Sequence, residues 1–191
     1  MLHDAILRAA FALLLDTGRP IPVVELAAAL GASAEAIDAG LAELDRAGRV
    51  RRNEGGDVVA SRGLSLTPTP HEITLAGERR FTWCAYDAVG ILAALGADGR
   101  VRSRTPLGEA VEFEIEAGHP VPADGLVLFL PARSAGSVVE EWCPLANFFL
   151  DADAAQRWAS EGGVEGHVLS LAEASKLGAR EWGDCCERRT A

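Results

Sequence analysis

"SAEAIDAGLAELDRAGRVRRNEGGDVVAS", residues 33–61, decides how the first third of the chain is read. Ile37, Leu41 and Leu44 recur at helical spacing behind Ser33, a residue type that caps helix starts. "RVRRN" and "DVVAS" then form two short strand-like runs, and the "EGG" between them is a hairpin turn signal. Upstream, "PVVELAAALG" predicts a short helix ended by Gly31. Before it, Ile6, Leu7, Ala10, Leu13 and Leu14 mark a first helix that stops at Gly18 and Pro20. Three helices and a hairpin predict a winged helix over residues 1–65.

Downstream, "LSLTPTPHEITLAGERR" (64–80) supplies the connector, residues 66–80, with one strand at "HEITLAG". "FTWCAYDAVG" follows as a helical segment, then strands at "GRVRSRT" and "AVEFEIEAG", the latter alternating Val111, Phe113 and Ile115 with Glu112, Glu114 and Glu116. "DGLVLFLPA" is a continuous apolar run suited to a central strand. Helical patterns close the chain at "DAAQRWAS", with Asp151 or Asp153 as cap, and at "LAEASKLGAREW". The fold class expected is α+β: an N-terminal winged-helix three-helix module, then a mainly antiparallel sheet with packed helices in a catalytic domain over 81–191.

The formal net charge of -10 argues against nucleic acid or an anionic membrane as partner, since both select for Lys and Arg. The third helix carries Glu35, Asp38, Glu43 and Asp45 against Arg46 and would meet phosphate with repulsion. Arg49, Arg51 and Arg52 are read as a solvated wing, and the module as a structural part or a lid. The N-terminus reads as a folded helix and not as a signal peptide, and no apolar run reaches the ~18 residues of a membrane span. A cytoplasmic protein is expected.

Four cysteines, Cys84, Cys143, Cys185 and Cys186, make neither a disulfide scaffold nor a zinc-ligand spacing. Cys84 and Cys143 each follow a tryptophan, and Cys143 precedes Pro144, which pushes the backbone towards extended or turn geometry. Within a helix, Cys84 and Asp87 share a face, and an aspartate on an apolar face needs a partner or a purpose. Buried structural thiols are the alternative. His3, His71, His119 and His167 share no ligand spacing and are assigned to the surface. GxSxG, Walker and GxGxxG motifs are absent.

The order of these pieces resembles the organomercurial lyase (alkylmercury lyase) family from about Arg19 to Gly178. It is carried by "RGLSLTPTPHEITLAGERRFTWCAYDAV", "VRSRTPLGEAVEFEIE", "EWCPLANFFLDADAAQRWAS" and "GHVLSLAEASKLG". The resemblance implies that Cys84 and Cys143 are the catalytic thiols and mercury ligands, and that Asp87 is the carboxylate that handles the proton and joins the ligand set. It implies protonolysis of a carbon–mercury bond, giving hydrocarbon and bound mercury(II), with no cofactor required. The implied partners are a small organometallic substrate, with small thiols or a mercuric reductase as metal acceptor.

That chemistry suits the residues. Thiolates hold soft ions, and a neighbouring carboxylate can take a thiol proton and return it to carbon. Trp83, Tyr86, Trp142 and Phe148 are candidates to line a pocket for the organic group. The sequence departs from the family at Arg104 or Thr105 and at Pro144, where cysteines often stand. Cys185 and Cys186 are either transfer thiols or incidental cysteines of a disordered tail. The alternative functions are a lyase-like homologue that cleaves another carbon–heteroatom bond or only binds soft metal and, third, a metal-responsive regulator.

Overall fold

A computed structural model describes residues 2–122, 125–132 and 136–186, with the side chain of Cys186 outside the described set. Helix α1 (Leu2–Thr17) buries Ile6, Phe11 and Leu14 on one stripe. α2 (Val23–Leu30) ends on Gly31 in left-handed conformation, and α3 (Ala34–Arg46) starts on Ser33, whose Oγ accepts from the Ala36 amide at 3.2 Å. β1 (Val50–Arg52) and β2 (Val58–Ser61) form the expected antiparallel hairpin, packed against α1 and α3. The hairpin arginines are taken up by acids: Arg52 reaches Asp38 at 2.6 Å, and Arg51 reaches Glu140 at 2.7 Å and Asp45 at 3.5 Å.

The Pro- and Thr-rich stretch expected to hold one strand holds more. β3 (Leu64–Ser65) pairs with β2, and β4 (His71–Leu75) and β5 (Glu78–Thr82) form a hairpin. The Ala76–Gly77 turn joining those two strands gives little sequence alternation to read. After α4 (Ala85–Leu95) come β6 (Gly99–Arg104), β7 (Ala110–Glu116) and β8 (His119–Pro120). These strands make one antiparallel sheet in the order β1-β2-β3-β5-β4-β6-β7-β8. β9 (Val127–Pro131), β10 (Asn147–Phe149), α5 (Ala152–Gly162), β11 (Gly166–Ser170) and α6 (Leu171–Cys186) complete the chain. β9 is the centre of a second antiparallel sheet, β10-β9-β11, as its unbroken apolar run predicts. Asp151 caps α5, its Oδ1 accepting from the Ala154 amide at 2.7 Å.

α4 is buried along most of its length and crosses α6 at two glycines. A Cβ on Gly178 would fall under 3.0 Å from the Gly90 Cα, so the helices touch backbone to backbone. One apolar core runs from Phe11 and Leu41 through Ile73 and Val89 to Phe148, and a smaller one beneath α5 joins Phe129 and Phe149. The fold is therefore α+β with antiparallel sheets and packed helices. Among the described residues no helix is long and apolar enough to cross a membrane.

Two expectations are corrected. His71 is buried, not on the surface. It sits on the inward face of β4, its Nδ1 lies 2.8 Å from Ser103 Oγ, and burial lowers its pKa to about 4. Its position just after Pro70 imitates a loop in sequence. The disordered-tail reading also fails at the two terminal cysteines, because α6 runs through Cys186.

Candidate functional site

Cys84 has extended backbone angles (φ -147°, ψ 174°) and is the N-cap of α4. Three residues on, Asp87 reaches back, and its Oδ2 accepts from the Cys84 amide at 2.9 Å. This is a capping box with a thiol where serine usually stands, so the i, i+3 pair legible in "CAYD" also starts the helix. The positive end of the helix dipole lies at the Cys84 sulfur and favours its anion.

Cys143 arrives from the other side. A π-turn (Val138–Trp142) runs into a 3₁₀ turn (Cys143–Leu145) with Pro144 at its start. The Ala85 amide donates to the Ala146 carbonyl at 3.1 Å, tying this turn to the first residue of α4. Cys84 Sγ, Cys143 Sγ and an Asp87 carboxylate oxygen consequently lie within 4.8 Å of one another, all three side chains buried.

Burial sets the electrostatics. It raises the Cys84 thiol pKa well above its ordinary value, reinforced by contact with Cys143 and by the Asp87 charge. Burial also raises Asp87 to about 7; hydrogen bonds from Cys84 oppose the rise and the Glu181 charge adds to it. At rest the cluster thus keeps protonated thiol beside a carboxyl that can hold or release a proton near neutrality.

A cavity of about 510 Å³ leads to this cluster, and Asp87 is the member of the three that lines it. Trp83, Tyr86 and Trp142, named from the sequence, are on its wall. Phe148 is not: it packs in the core, 5.4 Å edge-on to Phe113. Tyr86 is held between Trp142 and Trp182 at ring distances of 6.2 and 5.3 Å, and its hydroxyl donates to Glu181 Oε2 at 3.2 Å. Burial, followed by the Glu181 charge, keeps that hydroxyl's pKa well above the usual tyrosine range. Arg104 is exposed and donates to the Gly108 carbonyl, and Thr105 is buried in the turn beyond it.

Arg49, Arg62, Gly63, Glu181 and Trp182 also line the cavity and were not singled out as site residues in the sequence. Their only sequence signal is the i, i+4 spacing of Leu177 and Glu181 along one face of α6. Cys185, one further turn along, is half-buried outside the cluster, and its Sγ lies 3.4 Å from Asp184 Oδ1.

The sequence model of the MerB family, alkylmercury lyase, matches residues 64–183. Alkylmercury lyase of Staphylococcus epidermidis is 31% identical over 169 residues, covering 86% of this chain and 76% of that protein. That of Streptomyces lividans is 30% identical over 174 residues, with 86% and 76% covered. Among solved structures, the mercury-bound form of MerB2 superposes with a TM-score of 0.86 at 25% identity, covering 95% of this chain and 89% of that one. A family model spanning most of the chain, together with relatives at this identity covered over three quarters of their length, means that the chain belongs to the alkylmercury lyase family.

Proposed function

We propose that this protein cleaves the carbon–mercury bond of organomercurials by protonolysis, with Cys84, Cys143 and Asp87 as its catalytic residues. The observation that carries this reading is the convergence of two buried thiols and one carboxyl within 4.8 Å at the end of a cavity. An organomercurial R–Hg–X enters past Asp87 with its organic group against the aromatic wall. One thiol gives its proton to the leaving ligand X and bonds mercury in its place. The second thiol gives its proton to the Asp87 carboxylate and bonds mercury as thiolate. Two thiolate ligands enrich the metal-bound carbon in electron density, and Asp87 returns the proton to that carbon as the bond breaks. The balance is R–Hg–X plus two thiols giving R–H, H–X and mercury(II) on the two thiolates. Nothing is oxidised or reduced, which is why no cofactor is required and mercury(II) is the bound product.

The same reading makes small thiols or a mercuric reductase the metal acceptor, Cys185 and Cys186 possible transfer thiols, and the compartment the cytoplasm. We also read residues 1–65 as a winged-helix-like module, 66–80 as a connector and 81–191 as the catalytic domain. The packing of α1 and α3 on the β1–β2 hairpin, with α2 against both helices, supports the first of these.

The test is anaerobic incubation with phenylmercury and excess small thiol, following benzene by gas chromatography. Catalytic benzene release that is lost in Cys84→Ala, Cys143→Ala and Asp87→Ala is the expected result. Stoichiometric mercury binding without benzene would instead identify a soft-metal binder or an enzyme for a different bond.

A further inference from the structure

Three hairpins in the large sheet turn through the same two-residue device. Arg62–Gly63, Ala76–Gly77 and Ala117–Gly118 each put a non-glycine residue at φ near 50° (49°, 51° and 46°) and a glycine at larger positive φ (87°, 81° and 78°). The flanking pairs, Ser61 with Leu64, Leu75 with Glu78 and Glu116 with His119, are directly opposed, as in a two-residue primed turn. Backbone requirement alone explains glycine at all three.

The surroundings of the three glycines differ. A Cβ on Gly77 would meet nothing within 4 Å, and one on Gly118 would meet the end of α4. A Cβ on Gly63 would fall under 3.0 Å from the Cβ, Cγ and Oδ1 of Asp87. This turn is also held by three hydrogen bonds. The Trp83 amide donates to the Gly63 carbonyl at 2.8 Å, Trp182 Nε1 donates to the Arg62 carbonyl at 2.8 Å, and Arg62 Nη2 donates to the Glu181 carbonyl at 2.8 Å. The turn cannot retreat from the carboxyl without breaking contacts to β5 and to α6.

We infer that Gly63 is a positioning residue for the reaction: its bare Cα, fixed by the Arg62 turn, is the wall that holds the Asp87 carboxyl on the Cys84 amide and beside the two sulfurs. One carboxyl oxygen is taken by the Cys84 amide, and the other rests against Gly63. A methyl group at residue 63 drives the carboxyl off that amide and out towards the cavity. The thiols, fixed by α4 and by the 3₁₀ turn, stay where they are. Capture of inorganic mercury(II), whose two departing ligands carry off the thiol protons, therefore separates from proton delivery to carbon.

The catalytic part of this inference rests on the lyase reading, while the placement of Asp87 does not. Gly77→Ala supplies the control, since it meets the same backbone strain with nothing to strike. The wild type, Gly63→Ala and Gly77→Ala are compared by NMR with labelled aspartate carboxyl and amide groups. In Gly63→Ala the Cys84 amide proton moves upfield as it loses its acceptor, and the Asp87 carboxyl titration leaves its wild-type midpoint. In Gly77→Ala both stay put. Turnover of phenylmercury falls by at least about tenfold in kcat for Gly63→Ala, with mercury(II) still bound one per chain, and by less than about twofold for Gly77→Ala.

Equal behaviour of the two variants, in NMR or in kcat, overturns the inference. A wild type that releases no benzene overturns the lyase reading, and the NMR comparison then still decides where Gly63 holds Asp87. If Gly63→Ala does not fold, Asp87→Ala is added to it. Recovery of folding by removing the carboxyl supports the contact, and no recovery refutes it.

Discussion

Asp87 is the residue on which the site's pH behaviour turns. In the unfolded chain its carboxyl titrates near 3.8, and in the folded protein burial moves it to about 7. Between those values the native state holds a proton that the unfolded state has lost, so stability falls as pH rises from about 4 to about 7 and stays lower above. The cost is on the order of a few kcal/mol. Asp87→Asn keeps an acceptor for the Cys84 amide and cannot ionise. Its melting temperature relative to wild type is expected to rise between about pH 4 and about pH 7 and to level off above, as followed by circular dichroism. A difference independent of pH would mean that the carboxyl ionises in the folded protein as freely as in water. "WCAYD" carried this pairing in plain view, because the cap of a helix and an i, i+3 contact are local. The Asp87–Gly63 contact has no such signature, since nothing in "SRGLS" says which side chain will lie over the glycine.

At the scale of elements, α4 and α6 decide whether the cavity keeps its shape. Their crossing at Gly90 and Gly178 leaves no space for a side chain, and Trp182 lies over Gly90. Gly178→Ala is expected to force the helices apart and cost about 1–3 kcal/mol in urea unfolding, with the aromatic clamp on Tyr86 loosened. An unchanged midpoint would show that the crossing has slack. α1, α2, α3, α5 and α6 were legible from periodicity and caps, with Ser33, Gly31 and Asp151, one of the two aspartates the sequence offers, at their ends; α4 starts later than "FTWCAYDAVG" suggests, because Phe81 and Thr82 belong to β5. The crossing of α4 and α6 was not legible, because helical period reports which face is apolar and not which partner covers it. Short strands were lost for a related reason. β3 has two residues and β5 five, and tertiary pairing, not alternation, makes them strands.

On the scale of the whole molecule, the opening helices and hairpin share one core and one sheet with the residues that lead to the active site. Arg51 and Arg52, two of the three arginines that invite a nucleic-acid reading, are paired within the fold with Asp38, Asp45 and Glu140. Against a net charge of -10, no retardation of a DNA fragment is expected in a gel shift at low salt, where such binding is strongest. Retardation that vanishes with added salt would restore the regulator reading. Composition alone supported this conclusion, while the pairing that explains it spans up to 89 residues of sequence and needed the fold.

The deep placement of Cys84 and Cys143 has a consequence for how the protein survives between encounters with substrate. Peroxides and alkylating agents attack thiolate, and both sulfurs are out of solvent, with the Cys84 proton held tightly. Among the described cysteines, Cys185, half-exposed on α6, is the sulfur such reagents meet first. Under the proposed mechanism the pair is stored as a masked reagent, shielded from oxidants by burial and unmasked by a metal soft enough to displace the protons.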